Sequence, residues 1–172
     1  MVLWFIGLSG SGKTTLGREV ARQWQARASN TVLLDGDELR AVFAQDSGDD
    51  AYTIEGRRRN AERLTALCEL LDRQGINVVC CILSIFPEMR AGNRQRFSRY
   101  FEVFMDAPLP ILQARDVKGL YGAAKSGQTQ NVVGIDIPFE RPANPDMIID
   151  SSGTLQDLEQ LAATVLGRAG AM

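Results

Sequence analysis

The run Gly7-Leu8-Ser9-Gly10-Ser11-Gly12-Lys13-Thr14 constrains the fold more than any other stretch of the 172 residues. It satisfies the pattern GxxxxGK[ST], follows the apolar run Val2 to Ile6, and opens a helical pattern, which is the context the motif requires. Its glycines allow consecutive backbone N–H groups to turn toward phosphate oxygens, and the helix N-terminus adds its positive dipole. Gly7, Ser9, Gly10, Ser11, Gly12, Lys13 and Thr14 are therefore candidate ligands for the phosphates of ATP. Lys13 would reach the β- and γ-phosphates, and the Thr14 hydroxyl would serve Mg2+.

Short apolar runs alternate with helical patterns along the rest of the chain, the signature of a parallel sheet with crossover helices. Strands are expected at Val2 to Ile6, Thr31 to Leu34, Asn77 to Leu83, Phe101 to Met105 and Met147 to Ile149. Their apolar character is continuous rather than alternating, which predicts strands covered on both faces. Helices are expected at Lys13 to Ala26, Gly56 to Gln74, Pro87 to Ser98, Leu109 to Arg115 and Leu155 to Leu166, the last with Thr154 near its start and Gly167 near its end. The result is an α/β fold of three layers, a P-loop NTPase with a mostly parallel five-stranded sheet, in one domain over 1–172. A polar loop is expected over Gln45 to Ala51. The stretch Val117 to Pro145, rich in glycine and proline with little periodicity, reads as a lid because it carries Lys118, Lys125 and Arg141.

Formal net charge is −2, so any anion site must be local rather than a general nucleic-acid surface. Histidine is absent, which excludes a histidine triad, metal site or proton shuttle. Cys68, Cys80 and Cys81 show no CxxC spacing and cannot all pair, the usage of a reduced, cytoplasmic protein. The apolar start lacks a basic segment before it, and no run reaches the ~20 residues of a membrane span, so neither a leader nor a membrane partner is expected.

Three further groups carry chemistry. Asp35-Gly36-Asp37 lies where the second strand ends, the edge at which open α/β sheets bind ligands. One acid can hold the magnesium water shell while the other accepts a proton from an attacking hydroxyl; alternatively, Asp37 caps the helix that Glu38-Leu39-Arg40 begins. Arg57, Asn60 and Arg63 share a helical face and suit a phosphate or sulfate group, or else form a solvated charged face. Tyr52 would stack on a base or pack the loop. Ser84, just past the third strand, would touch substrate or merely end the strand.

The chain also resembles the adenylylsulfate kinase family nearly end to end. Gly7 to Thr15 is similar to its GLSGxGKTT loop, Asp35 to Arg40 to its DGDxxR segment, and Arg115-Asp116-Val117-Lys118-Gly119-Leu120-Tyr121 to its RDxKGLY lid motif. Gly134-Ile135-Asp136 with Phe139-Glu140, Pro142, Asn144 and Pro145 is similar to its GID run and the segment that follows. The resemblance implies phosphorylation of the ribose 3′-hydroxyl of adenosine 5′-phosphosulfate (APS) by MgATP, giving 3′-phosphoadenosine 5′-phosphosulfate (PAPS). It implies Asp37 as base, Asp35 near Mg2+, Thr15 and Arg115 on the ATP side, and Arg40, Tyr52, Arg57, Asn60, Ser84, Ile85, Lys118 and Val132 on the acceptor side. Ser84 aligns with a serine once regarded as a phosphorylated intermediate, and direct transfer needs no such step. A homodimer is implied by the family alone.

The chain departs from the family pattern at three places. Gly56 stands for an aspartate, Val132 for the aromatic residue before TGID that stacks on the acceptor adenine, and Ile85 for the proline of ISPY. All three cluster where the acceptor should lie. Loss of a stacking face costs about 1–3 kcal/mol, enough to favour another nucleotide such as cytidine diphosphoramidate. A nucleotide-binding switch is the reading from a different class.

Overall fold

The computed structural model describes residues 1–43, 51–116 and 118–171. Most of the polar loop expected from Gln45 onward therefore lies outside the described residues, as does Val117 at the start of the expected lid. Five strands, β1 (Val2–Ile6), β2 (Thr31–Asp35), β3 (Asn77–Ile82), β4 (Tyr100–Asp106) and β5 (Met147–Asp150), form one sheet in the order β2-β3-β1-β4-β5. Every pairing is parallel. The central strand explains the continuous apolar run. Leu3 and Phe5 pack toward α1 (Lys13–Gln25) and α7 (Leu158–Arg168), while Val2, Trp4 and Ile6 pack toward Leu64 and Cys68 of α3 (Ile54–Arg73). Both faces are covered, giving the three layers.

Between these elements lie α2 (Gly36–Val42), α4 (Pro87–Arg96), α5 (Leu109–Arg115) and α6 (Leu120–Lys125). Three boundaries differ from the sequence expectation for local chemical reasons. The cap of α2 is Asp35, whose carboxylate accepts from the backbone N–H groups of Asp37 and Glu38, so Asp37 is not the cap. The last helix begins three residues late because Asp157, in the left-handed region, accepts from the Gln160 N–H at 3.0 Å. Thr154 is thus not its start, and Gly167 lies inside the helix. The fourth helix stops at Arg96, because Phe97 is extended and Ser98 turns its N–H and hydroxyl onto Asp72.

The expected lid contains a helix, α6, that the sequence pattern did not reveal. Its N-cap is Gly119, in the left-handed conformation, and Asp116 holds its first turn by accepting from the N–H groups of Tyr121 and Gly122 at 3.0 and 2.8 Å. The lid also has its own apolar cluster, in which Tyr121, Val132, Val133 and Ile137 pack with Leu8 and Leu112. No helix among the described residues is long and apolar enough to cross a membrane.

Candidate active site

A cavity of about 700 Å³ opens along the carboxyl edge of the sheet, and the glycine loop, the ends of β2 and β3, α3 and the lid all line it. This is the edge at which open α/β sheets hold ligands. At its floor, α1 starts with Gly12 in the left-handed conformation (φ 88°) and no side-chain cap. The first N–H groups of the helix are thereby left for an anion. Gly7 is needed for a different reason: a Cβ there would lie 2.6 Å from Ser11 Oγ and 2.7 Å from the Met105 carbonyl. Ser11 Oγ is buried without a hydrogen-bond partner, a donor held at the loop without a protein acceptor.

Lys13 donates to the Leu8 carbonyl at 2.8 Å. Desolvation in the loop lowers its ammonium from 10.5 to about 8, against the pull of Asp37 and Asp35. Thr14 Oγ1 donates to Asp35 Oδ2 at 2.5 Å, so the buried Asp35 caps α2 with one oxygen and meets Thr14 with the other. A hydroxyl and a carboxylate make a hard-oxygen pair suited to Mg2+, which keeps most of its ligands as water and phosphate.

Asp37 points to the lid, where Lys118 Nζ donates to its Oδ2. Partial desolvation at the cavity would raise the Asp37 carboxyl although its side chain stays open to solvent, but the hydrogen bond and charge of Lys118, with Lys13 and Arg40 behind it, hold it below the usual carboxylate range. It is therefore ionised at neutral pH.

On the far side, Tyr52 carries two guanidinium groups over its ring, Arg40 at 4.8 Å and Arg57 at 5.5 Å. Burial, with the Arg40 charge beside it, lowers the Arg57 pKa. Arg57 also donates to the Tyr52 carbonyl at 2.9 Å and to the Asn131 carbonyl of the lid at 2.7 Å. Asn60 is buried beside them with its Oδ1 unbonded. Two cations form a local anion site on a chain whose net charge is −2, and the Asn60 oxygen beside them is left to accept from a donor on the ligand.

Most of the residues singled out in the sequence meet at this cavity: Ser9, Gly10, Gly12, Lys13, Thr14, Thr15, Asp35, Asp37, Arg40, Tyr52, Arg57, Asn60, Ser84, Ile85, Lys118 and Val132 all line it. Three do not behave as expected. Arg63 is exposed, and Leu64 lines the cavity in its place. Arg115 does not face the cavity. Its guanidinium instead donates to the carbonyls of Ser151, Ser152 and Gly153, clamping the loop after β5. Val132 is not a bare replacement for a ring; it is buried in the lid cluster, with its N–H held at 2.5 Å by Asp136.

Three supporting residues escaped sequence reasoning. Tyr121 ties the lid to the glycine loop through Ser9 O at 3.0 Å, Asp136 closes the turn at Asn131 and Val132, and Arg90 is described below. Tyr121 and Arg90 reach across the chain and Asp136 closes a tight irregular turn, and helix or strand periodicity gives no signal for either kind of contact.

A glycine loop, paired acids and a cationic lid around one cavity define a P-loop phosphotransferase. Residues 1–150 match the family described as adenylylsulphate kinase, and the chain belongs to that family. A probable adenylyl-sulfate kinase of Pseudomonas aeruginosa is 39% identical over 167 residues, covering 97% of this chain and 76% of that protein. An adenylyl-sulfate kinase of Halothermothrix orenii is 39% identical over 147 residues, covering 86% and 78%. The Mycobacterium tuberculosis APS kinase CysC, solved in complex with AMPPNP and APS, superposes with a TM-score of 0.84 at 33% identity, covering 98% of this chain and 96% of that one. The fold extends to shikimate kinase of Aquifex aeolicus, at TM-score 0.57 and 17% identity.

Proposed function

We propose that this protein, as a single kinase domain, transfers the γ-phosphoryl group of MgATP to the ribose 3′-hydroxyl of APS, giving PAPS and ADP. The observation that carries this reading is the position of Asp37 and Lys118, which meet between the glycine loop on one side and Arg40, Arg57 and Asn60 on the other. A reaction between two bound nucleotides needs its charge-bearing groups there.

The donor phosphates lie on the N–H groups of the loop and first turn of α1, with Lys13 on their β- and γ-oxygens. Mg2+, held through Thr14 and Asp35, would supply charge neutralisation on those oxygens. Asp37, kept ionised, accepts a hydrogen bond from the acceptor hydroxyl, aligns it for in-line attack and takes its proton as the new P–O bond forms. Because transfer of this kind is largely dissociative, alignment and charge stabilisation outweigh strong basicity, and a carboxyl of low pKa suffices. Lys118 leaves Asp37 for the transferring phosphoryl group, where negative charge is greatest. Arg40 and Arg57 hold the anionic extension of the acceptor. Ser84 needs no covalent role: its Oγ accepts from Trp4 Nε1 at 3.3 Å. Arg115 serves the donor side indirectly, through the loop it clamps. The three cysteines are buried and free, as suits a reducing cytoplasm.

One observation favours a second acceptor. Ile85 and Val132 put two aliphatic side chains of one apolar cluster at the cavity wall, where the family pattern would give a purine a stacking ring. A pyrimidine acceptor such as cytidine diphosphoramidate sacrifices less there. The test is ADP release under MgATP with APS, cytidine diphosphate derivatives, or no acceptor, for the wild type and Asp37→Asn. APS is expected to give the highest kcat/KM, with a loss in Asp37→Asn of two orders of magnitude or more, mainly in kcat. Preference for the cytidine compound would replace the acceptor, and fast release without an acceptor would replace the kinase reading by a switch.

A further inference from the structure

Arg90 lies outside the cavity lining, yet it is buried on α4 and its guanidinium bonds to two backbone carbonyls. Its Nη1 donates to the Ser84 carbonyl at 2.5 Å and its Nη2 to the Glu140 carbonyl at 3.3 Å. The first carbonyl belongs to a segment that lines the cavity, and the second to the limb of the lid that follows the lining residues Val132 and Val133. Ser84 begins the Ser84-Ile85-Phe86 segment after β3, all three of which line the cavity. Glu140 lies just beyond the lid segment Val132 to Ile137, and Phe139 beside it packs in the same cluster as Ile85 and Val132.

The backbone at Ser84 needs such a hold. Its φ is +55°, a left-handed conformation that a non-glycine residue adopts only when its surroundings enforce it. Trp4 takes its hydroxyl and Arg90 takes its carbonyl, so both ends of the residue are tied down. On the outer side, the Arg58 guanidinium sits 4.2 Å from the Phe86 ring centre and pairs with Glu88 at 2.8 Å. That exposed pair is replaceable by water, whereas the buried Arg90 fork is not.

We infer that Arg90 is a positioning residue for the acceptor: one guanidinium fixes the spacing between the Ser84–Phe86 wall and the returning limb of the lid. Its planar fork suits two carbonyls at once, and a lysine ammonium, whose donors all sit on one nitrogen, does not reproduce the span between Nη1 and Nη2. The inference takes its choice of acceptor from the proposed function, but the tether itself is a statement about the backbone.

Arg90→Lys and the milder Arg90→Gln test it in two measurements. In steady-state kinetics, the KM for APS is expected to rise tenfold or more while the KM for ATP stays within twofold, because the glycine loop is untouched. A merely structural role would lower the amount of active enzyme and hence apparent kcat, leaving this split absent. In amide hydrogen exchange of the free protein, residues 84–86 and 137–141 are expected to exchange at least fivefold faster, with the strands β1 and β4 unchanged. Unchanged exchange in these two segments, in whichever variant folds, overturns the tether. If wild-type enzyme does not use APS, the proposed acceptor fails, and the exchange measurement still decides the role of Arg90. Equal rises in both KM values would overturn the assignment to the acceptor.

Discussion

Lys13 shows how far a single residue can be read from its motif and what only its surroundings supply. The pattern assigned it to phosphate. The structure adds that desolvation brings its ammonium from 10.5 to about 8, within reach of ordinary assay conditions. A bound polyphosphate favours the charged form, so the nucleotide complex keeps a proton that the free protein loses as pH rises past about 8. The Kd for ATP is therefore expected to be flat from pH 7 to 8 and to weaken by up to about tenfold per unit above it, one proton being linked to binding. The sign for folding is opposite. Between about 8 and 10.5 the unfolded chain holds a proton the folded one has released, so this group adds stability as pH rises. Titration calorimetry from pH 7 to 9.5 checks the first claim, and a constant Kd across that range removes it. At this scale, sequence served well where a motif fixes a backbone conformation, as at Gly12 and Lys13, and poorly at Arg63 and Arg115. A helix face places a side chain only to within a turn, and an arginine reaches whichever carbonyls lie nearest.

At the scale of elements, the strands were legible because β1 is apolar throughout and β3 is so after Asn77, and the ends of helices were not. Asp35 and Asp157 became caps because of the local backbone at each, whereas Asp37 and Thr154 offered the same chemistry and were passed over. The α6 helix was hidden for a related reason: its six residues are too few for a period to show. The packing of α1 on β3 is sharper than either pattern. A Cβ at the buried Gly17 would stand 2.2 Å from Cys81 Sγ, and that sulfur lies 3.5 Å from the Lys13 carbonyl. Gly17→Ala must therefore displace either the Cys81 sulfur or α1 itself, at a cost of about 1–3 kcal/mol. With Cys81→Ala the space is vacated, and the usual preference of a helix for alanine over glycine, about 0.8–1 kcal/mol, should make Gly17→Ala neutral or stabilising. Urea denaturation of the four proteins in this cycle checks the reversal. Additive effects of the two substitutions would show that the contact does not govern α1.

For the whole molecule, the question is whether the lid is held by the contact that gives it chemistry. Lys118 and Asp37 are both well exposed, with 59% and 70% of their side chains open to solvent. Pairs of that kind contribute about 0–1 kcal/mol to folding. The lid is fastened elsewhere, by Tyr121 to Ser9 O, by Asp116 on the first turn of α6, by Arg57 to Asn131 O, and by its own apolar cluster. The lid's stability thus resides in side chains other than Lys118, which on the proposed mechanism can change partner during turnover without the lid coming apart. Lys118→Ala is accordingly expected to leave the thermal midpoint within about 2 °C of wild type, the shift of a pair worth a few tenths of a kcal/mol in a domain of this size. Its kcat with MgATP and APS should fall by about 100-fold or more, as when a preorganised donor to a developing negative charge is removed. The KM for ATP should change far less, since the N–H groups of the glycine loop and Lys13 remain. Scanning calorimetry and initial rates on the same preparation separate the two effects. A large fall in thermal midpoint with proportionate loss of rate would mean that the pair holds the lid after all, and near-normal kcat would remove Lys118 from the transfer step.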